Sequence, residues 1–149
     1  MKEPVAKSST LIRCPVADVF NAFVDPEMIK KFWLAETTGP LAPGARVTWT
    51  FMVPGAKDDV TVVAFEKDRH IAFDWSDGIS VNLYFEESND NLTTLRVTAE
   101  GFRGENALSD AINATEGFAI VLCDLKSLLE TGSSGGFVRD KAELIRRSM

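Results

Sequence analysis

The chain has 149 residues, 45% of them hydrophobic and 26% charged, with 16 Lys and Arg against 22 Asp and Glu. That length suits a single domain burying roughly 70% of the surface its unfolded chain would expose, and the composition excludes a disordered or fibrous class. A net charge of −6 leaves no cationic surplus to neutralise phosphates, which argues against nucleic acid and against an anionic membrane surface.

The aromatic set is 10 Phe and 3 Trp with a single Tyr, which suits a dry interior better than a wet polar cleft. Met1-Lys2-Glu3-Pro4 places a charge and a proline where a secretory signal carries its apolar run. The longest apolar stretch, Gly117 to Cys123, is far shorter than the ~20 residues of a membrane helix, so a cytoplasmic location and no membrane partner are expected. Cys14 and Cys123 each sit in an apolar helical context, which predicts two buried, reduced thiols.

Val5 to Arg13 is rich in β-formers and predicts a first strand. Pro15 then opens a helix whose apolar positions are Val16, Val19, Phe20, Phe23 and Val24. Asp25-Pro26-Glu27 repeats the start signal, and Ile29, Phe32 and Trp33 predict a second short helix. Thr37 to Gly44 reads as a loop.

The period then changes to two. Val47, Trp49, Phe51 and Val53 give one strand an apolar face. Asp59 to Glu66 is a β-branched run without clean alternation, and Ile71, Phe73 and Trp75 face inward on the strand after it. Asp77-Gly78 is a hairpin signal, followed by Ile79, Val81, Leu83 and Phe85 on one face. A turn at Ser88-Asn89-Asp90-Asn91 leads to Leu95, Val97 and Ala99. These segments predict a five-stranded antiparallel meander, with the first strand available to join its edge.

From Ala107 to Glu130 the period is helical again, with Leu108, Ala111, Ile112, Thr115, Phe118, Ala119, Leu122, Leu125 and Leu129 on one side. At about 1.5 Å per residue this helix is roughly 36 Å long, and the apolar face of a concave sheet is the partner that can bury it. Residues 1–136 are expected to form the domain. Thr131 to Gly136 reads as a linker, and residues 137–149 as an appended helix docking through Phe137, Val138, Leu144 and Ile145 on its own domain or a second subunit.

Chemistry-bearing constellations are sparse. His70 is the only histidine and has no locally spaced ligands, so no metal and no cofactor are expected. No nucleophile elbow surrounds Ser76 or Ser80, and the pairs Glu86-Glu87 and Asp58-Asp59 point to opposite faces of strands, so no catalytic residue is assigned. The glycines form no phosphate loop. Gly117 stands out, because a glycine inside a helix costs about 1 kcal/mol relative to alanine. Either a close approach to the sheet or a ligand requires it, or it is a tolerated surface glycine. Thr115 likewise either bonds back to its own helix or offers a polar handle inside a pocket.

In its order of elements the chain resembles the α+β helix-grip fold of the START-like (SRPBCC), Bet v 1-like superfamily, a curved antiparallel sheet wrapped around a long C-terminal helix with two short helices after the first strand. Within it, the chain is similar to bacterial homologues of the activator of the heat-shock-protein-90 ATPase. The resemblance rests on Val16 to Phe23 with Asp25-Pro26-Glu27 and Phe32-Trp33, on Pro43 to Val47, on Ala72-Phe73-Asp74-Trp75, and on Glu116-Gly117-Phe118 with Leu122, Leu125 and Leu129. It spans about Val5 to Glu130, with Phe118 standing where the family usually has tryptophan.

The resemblance implies a cavity between sheet and long helix, typically for an apolar ligand. Together with the surplus of inward rings, it gives the expected site: Trp33, Trp49, Phe51, Phe73, Trp75, Leu83, Thr115, Phe118 and Leu122 holding a small apolar or amphipathic molecule without catalysis. The alternative is a protein-interaction or chaperone-regulator module that uses its outer surface while its core is filled; a homodimer and a chaperone contact are partnerships the sequence leaves open. An enzyme of the polyketide-cyclase or hydratase type would need polar groups inside the cavity, and the inward positions carry few.

Overall fold

The computed structural model describes residues 3–89 and 91–149. Met1, Lys2 and Asp90, the last within the expected turn after Phe85, lie outside the described residues. Among the described residues seven strands form one antiparallel sheet in the order β1-β7-β6-β5-β4-β3-β2. The strands are β1 (Ala6–Ile12), β2 (Leu34–Thr37), β3 (Arg46–Phe51), β4 (Lys57–Glu66), β5 (His70–Trp75), β6 (Ser80–Asn89) and β7 (Leu92–Glu100). The helices are α1 (Val16–Val24), α2 (Pro26–Ile29), α3 (Ala107–Thr131) and α4 (Phe137–Arg147). This is the helix-grip fold.

The concave face carries Trp49, Val60, Val62, Ile71, Phe73, Val81, Leu83, Leu95, Val97 and Ala99, all nearly fully buried. Period-two alternation puts them on one side of the pleat. β1 closes the sheet edge against β7, pairing Ala6 with Ala99 and Ile12 with Thr93. Thr93 is buried there and its hydroxyl donates to the Cys14 carbonyl at 2.8 Å, so the polar atom has a partner.

The missing alternation of β4 has a specific cause. Its register against β5 shifts between Val62 and Ala64, so Val60 and Val62 face the core while Val63 is exposed, and Phe65 returns inward against Phe20 with ring centroids 5.3 Å apart. One extra residue resets the period and bends the strand.

Three sequence expectations are corrected. The second helix is shorter than its apolar stripe implied: α2 ends at Ile29, and Leu34–Thr37 forms an unforeseen edge strand paired with β3, so the meander has six strands rather than five. The buried stripe of α3 is rotated, with Ala111, Val121, Leu125 and Leu128 buried and Ala114 and Phe118 packed against the core, whereas Leu108 and Ile112 are 66% and 60% exposed. Both stripes follow the same three-and-four spacing, so periodicity could not separate them. Cys123 lies on that outer face and is exposed, while Cys14 is buried.

Candidate functional site

A cavity of about 420 Å³ lies between the end of the sheet, α3 and α4. The end of β3 supplies Phe51, the β3–β4 connection Met52, Val53 and Ala56, and the end of β5 Trp75. α3 contributes Ala114, Gly117, Phe118 and Val121 at helical spacing, and α4 contributes Val138, Lys141, Ala142 and Ile145. Trp33, just after α2, completes the aromatic wall.

Four of the nine residues expected at the site, Trp33, Phe51, Trp75 and Phe118, line this cavity. Trp49, Phe73, Leu83 and Leu122 are packed in the core, at 2% exposure or less. Trp49 stands directly behind the wall, with its ring centroid 5.0 Å from Trp33, 5.6 Å from Trp75 and 5.2 Å from Phe73. It buttresses the lining rings from within. Thr115 spends its hydroxyl on its own helix, donating to the Ala111 carbonyl at 2.8 Å, while its carbonyl accepts from Ser8 Oγ at 3.0 Å.

Gly117 borders the cavity, and a Cβ built there meets nothing within 4 Å. No close approach requires this glycine; its missing side chain leaves the space open.

The polar groups on the lining are few. Asp58 is half-buried, and its Oδ1 accepts from Ser76 Oγ and from the Asp59 N–H at 2.8 Å. Asp77 is exposed at the solvent edge, and its Oδ1 accepts from the Ile79 N–H at 3.0 Å. Neither is in an ion pair among the described residues. Lys141, the one basic lining residue among the described residues, has its Nζ 2.7 Å from Glu116 Oε1.

α4 is expected to dock through Phe137, Val138, Leu144 and Ile145; the structure turns Val138 and Ala142 to the cavity, sets Ile145 at its rim with 38% of its surface exposed, and leaves Phe137 and Leu144 exposed. Sequence reading also missed Asp124, a carboxylate on α3 that is only 1% exposed. Its oxygens accept from Ser134 Oγ, from the Gly135 N–H at 3.1 Å and from the Val138 N–H at 3.1 Å, which fixes the start of α4. The signal was an acid at 124 interrupting the apolar run of a helix, with a small-residue linker ten positions on.

His70 is remote from the cavity lining. It stacks on Tyr84 with ring centroids 4.8 Å apart, and its Nε2 lies 2.8 Å from Asn82 Oδ1. Among the described residues no group of three or more His, Cys, Asp or Glu is arranged to hold a metal ion, and no helix is long and apolar enough to cross a membrane.

A curved sheet gripping a long helix, with an apolar cavity at their junction, defines a START-like domain. The family of Activator of Hsp90 ATPase homolog 1-like proteins matches residues 13–130, and the chain belongs to it. No curated protein matches. Among solved structures, the chain is similar to protein SSP2350 from Staphylococcus saprophyticus, at 27% identity and a TM-score of 0.78, over 88% of this chain and 95% of that one. The fold is also that of the Aha1 dimer from Colwellia psychrerythraea, at 17% identity and a TM-score of 0.76, over 87% and 98% of the two chains. DynU16, described as a putative protein in the dynemicin biosynthetic locus, shares it at 21% identity and a TM-score of 0.76, and the match covers 89% of this chain but 49% of that one.

Proposed function

We propose that the chain is a binding protein whose cavity takes a small, largely apolar molecule, neutral or amine-bearing, without covalent chemistry, metal or cofactor. The observation that carries this reading is the cavity of about 420 Å³ walled by Trp33, Phe51, Trp75 and Phe118, a volume inside the ~300–1,000 Å³ range of ligand pockets. Removing roughly 500 Å² of combined apolar surface from water contributes about 12 kcal/mol at about 25 cal/mol per Å². After association costs of about 5 kcal/mol, the remainder corresponds to roughly micromolar affinity.

Charge sets the preference among amphiphiles. The two lining carboxylates without a cationic partner oppose an anionic head group, and Lys141 is already engaged by Glu116. Decanol and decylamine are therefore expected to bind better than decanoate. The test is a titration with these three, followed by tryptophan fluorescence, since Trp33 and Trp75 line the cavity. No shift in fluorescence or melting temperature with any of the three overturns the reading.

A second reading is self-association. Leu108 and Ile112 lie one turn apart on the outer face of α3, exposed to solvent, and a structural neighbour is described as a dimer. A homodimer through this face is tested by sedimentation of the wild type against Leu108→Asp with Ile112→Asp. The family description names an activator of the Hsp90 ATPase; a chaperone contact by this chain is checked by adding it to a chaperone ATPase assay.

A further inference from the structure

The helix that covers the cavity lies beyond residue 130, where the family match ends. It has no cap of its own. Its N-cap residue is Gly136, at φ 75°, and its first-turn donor Val138 N–H is met by Asp124 from α3 instead. A helix N-terminus favours a negative charge, and Asp124 supplies it from the neighbouring helix.

The burial of this carboxylate is conditional. Every partner of Asp124 comes from residues 134–138, the end of the linker and the first turn of α4. Ser134 Oγ in turn accepts from the Gly136 N–H at 3.0 Å, so the linker is folded around the same carboxylate. With α4 seated, the charge is compensated by three donors; displacing α4 would remove all three together and leave the carboxylate to water. Neither state strands a buried charge, which is the condition for an element that opens and closes.

Gly132 at φ 85° and Gly136 at φ 75° bound the connecting segment, so the joint is built from residues that tolerate such angles. The remaining ties are the Lys141–Glu116 pair and the apolar contacts of Val138, Ala142 and Ile145, which face the cavity. Bound ligand would occupy the space those side chains border.

Resting on the ligand-binding reading above, we infer that Asp124 is a positioning residue for the site: it latches α4 as a movable fourth wall, and ligand enters and leaves when that latch releases. α4 then sets both the shape of the closed cavity and the rate of access to it.

The experiment uses the full chain and the neutral dye N-phenyl-1-naphthylamine, with stopped-flow fluorescence on wild type, Asp124→Ala, Asp124→Asn and Ser134→Ala. Asp124→Ala is expected to weaken binding about tenfold while raising the association rate several-fold, because the wall is lost and the entrance is open more of the time. Asp124→Asn, which keeps one acceptor oxygen, is expected to fall between it and the wild type. A merely structural residue would not raise the association rate. Ser134→Ala removes one donor at an exposed linker position and is expected to move both constants in the same sense by a smaller factor, which keeps the test open if Asp124→Ala fails to fold.

Hydrogen exchange of the wild type gives an independent readout. Saturating dye is expected to slow exchange across residues 140–147 by about tenfold relative to the middle of α3. Wild type that binds neither dye nor decanol overturns the cavity reading and the latch with it. Wild type that binds, with variant association and dissociation rates unchanged or with α4 exchange indifferent to dye, overturns the latch alone.

Discussion

Trp33 and Phe118 meet edge to face with ring centroids 6.2 Å apart, although one follows α2 and the other lies in the middle of α3. The contact ties the long helix to the short-helix segment where both border the cavity. Edge-to-face pairs add about 0.5–1.5 kcal/mol beyond area burial. Phe118 is only half-buried, so Phe118→Ala is expected to cost about 2 kcal/mol in urea unfolding, below the ~3–5 kcal/mol of a fully buried Phe. Affinity for decanol should fall with it. Unfolding unchanged by this substitution would show that the ring does not hold α3 in place.

Gly117 makes the opposite case, a position where adding atoms should help the fold and harm the site. A Cβ there has open space around it, so Gly117→Ala is expected to raise stability by up to about 1 kcal/mol through helix propensity. Gly117→Leu projects a side chain into the space the cavity offers, and should leave the fold at least as stable while weakening decanol binding about tenfold. Chemical denaturation and the fluorescence titration separate the two effects. A destabilised Gly117→Leu protein would mean the position is crowded.

What the sequence could show followed from where its physical signals are unambiguous. Trp49 and Phe73 alternate cleanly on their strands, so their burial was legible. Two equivalent stripes run along α3, so periodicity alone places Leu108 and Ile112 inward, and only the packing against β1, with Ser8 Oγ on the Thr115 carbonyl, selects between them. The short strand Leu34–Thr37 was illegible since its pairing with β3 is nonlocal, through Leu34 with Phe51 and Thr37 with Trp49. Near the cavity, alternation marks rings as inward without separating those that border open space from those packed behind them, and the role of Asp124 depends on a carboxylate meeting donors ten to fourteen residues on, which no periodicity encodes.

The two thiols are expected to differ in reactivity. Cys123 is exposed, whereas Cys14 is buried and its thiol pKa is raised, first by that burial and then by the neighbouring Asp18 carboxylate. The thiolate is the nucleophile, so both access and ionisation disfavour Cys14. Iodoacetamide at pH 8 should add one group per native molecule, at Cys123, and two in denaturant, as read by intact mass. Two rapid additions to the native protein would contradict the packing of the β1–α1 junction. Asp18→Ala should make Cys14 more acidic without exposing it.

Glu130 offers a test by pH. It joins the end of α3 to the end of β1: one carboxylate oxygen accepts from the Arg13 N–H at 2.8 Å and lies 2.7 Å from Lys126 Nζ. Those contacts hold its pKa below the ordinary value, the Arg13 amide first and the Lys126 ammonium next, with burial opposing. A depressed folded-state pKa means that the unfolded chain binds the proton more readily. The stabilisation is therefore fully present above the unfolded value of about 4.3 and is lost as pH falls through the lower folded value. Glu130→Gln is expected to be less stable than the wild type at pH 7, with the gap closing as pH falls below about 4.3. Urea unfolding of both proteins between pH 7 and pH 3 measures it. A gap that persists undiminished in acid would assign the loss to packing rather than to the carboxylate's charge.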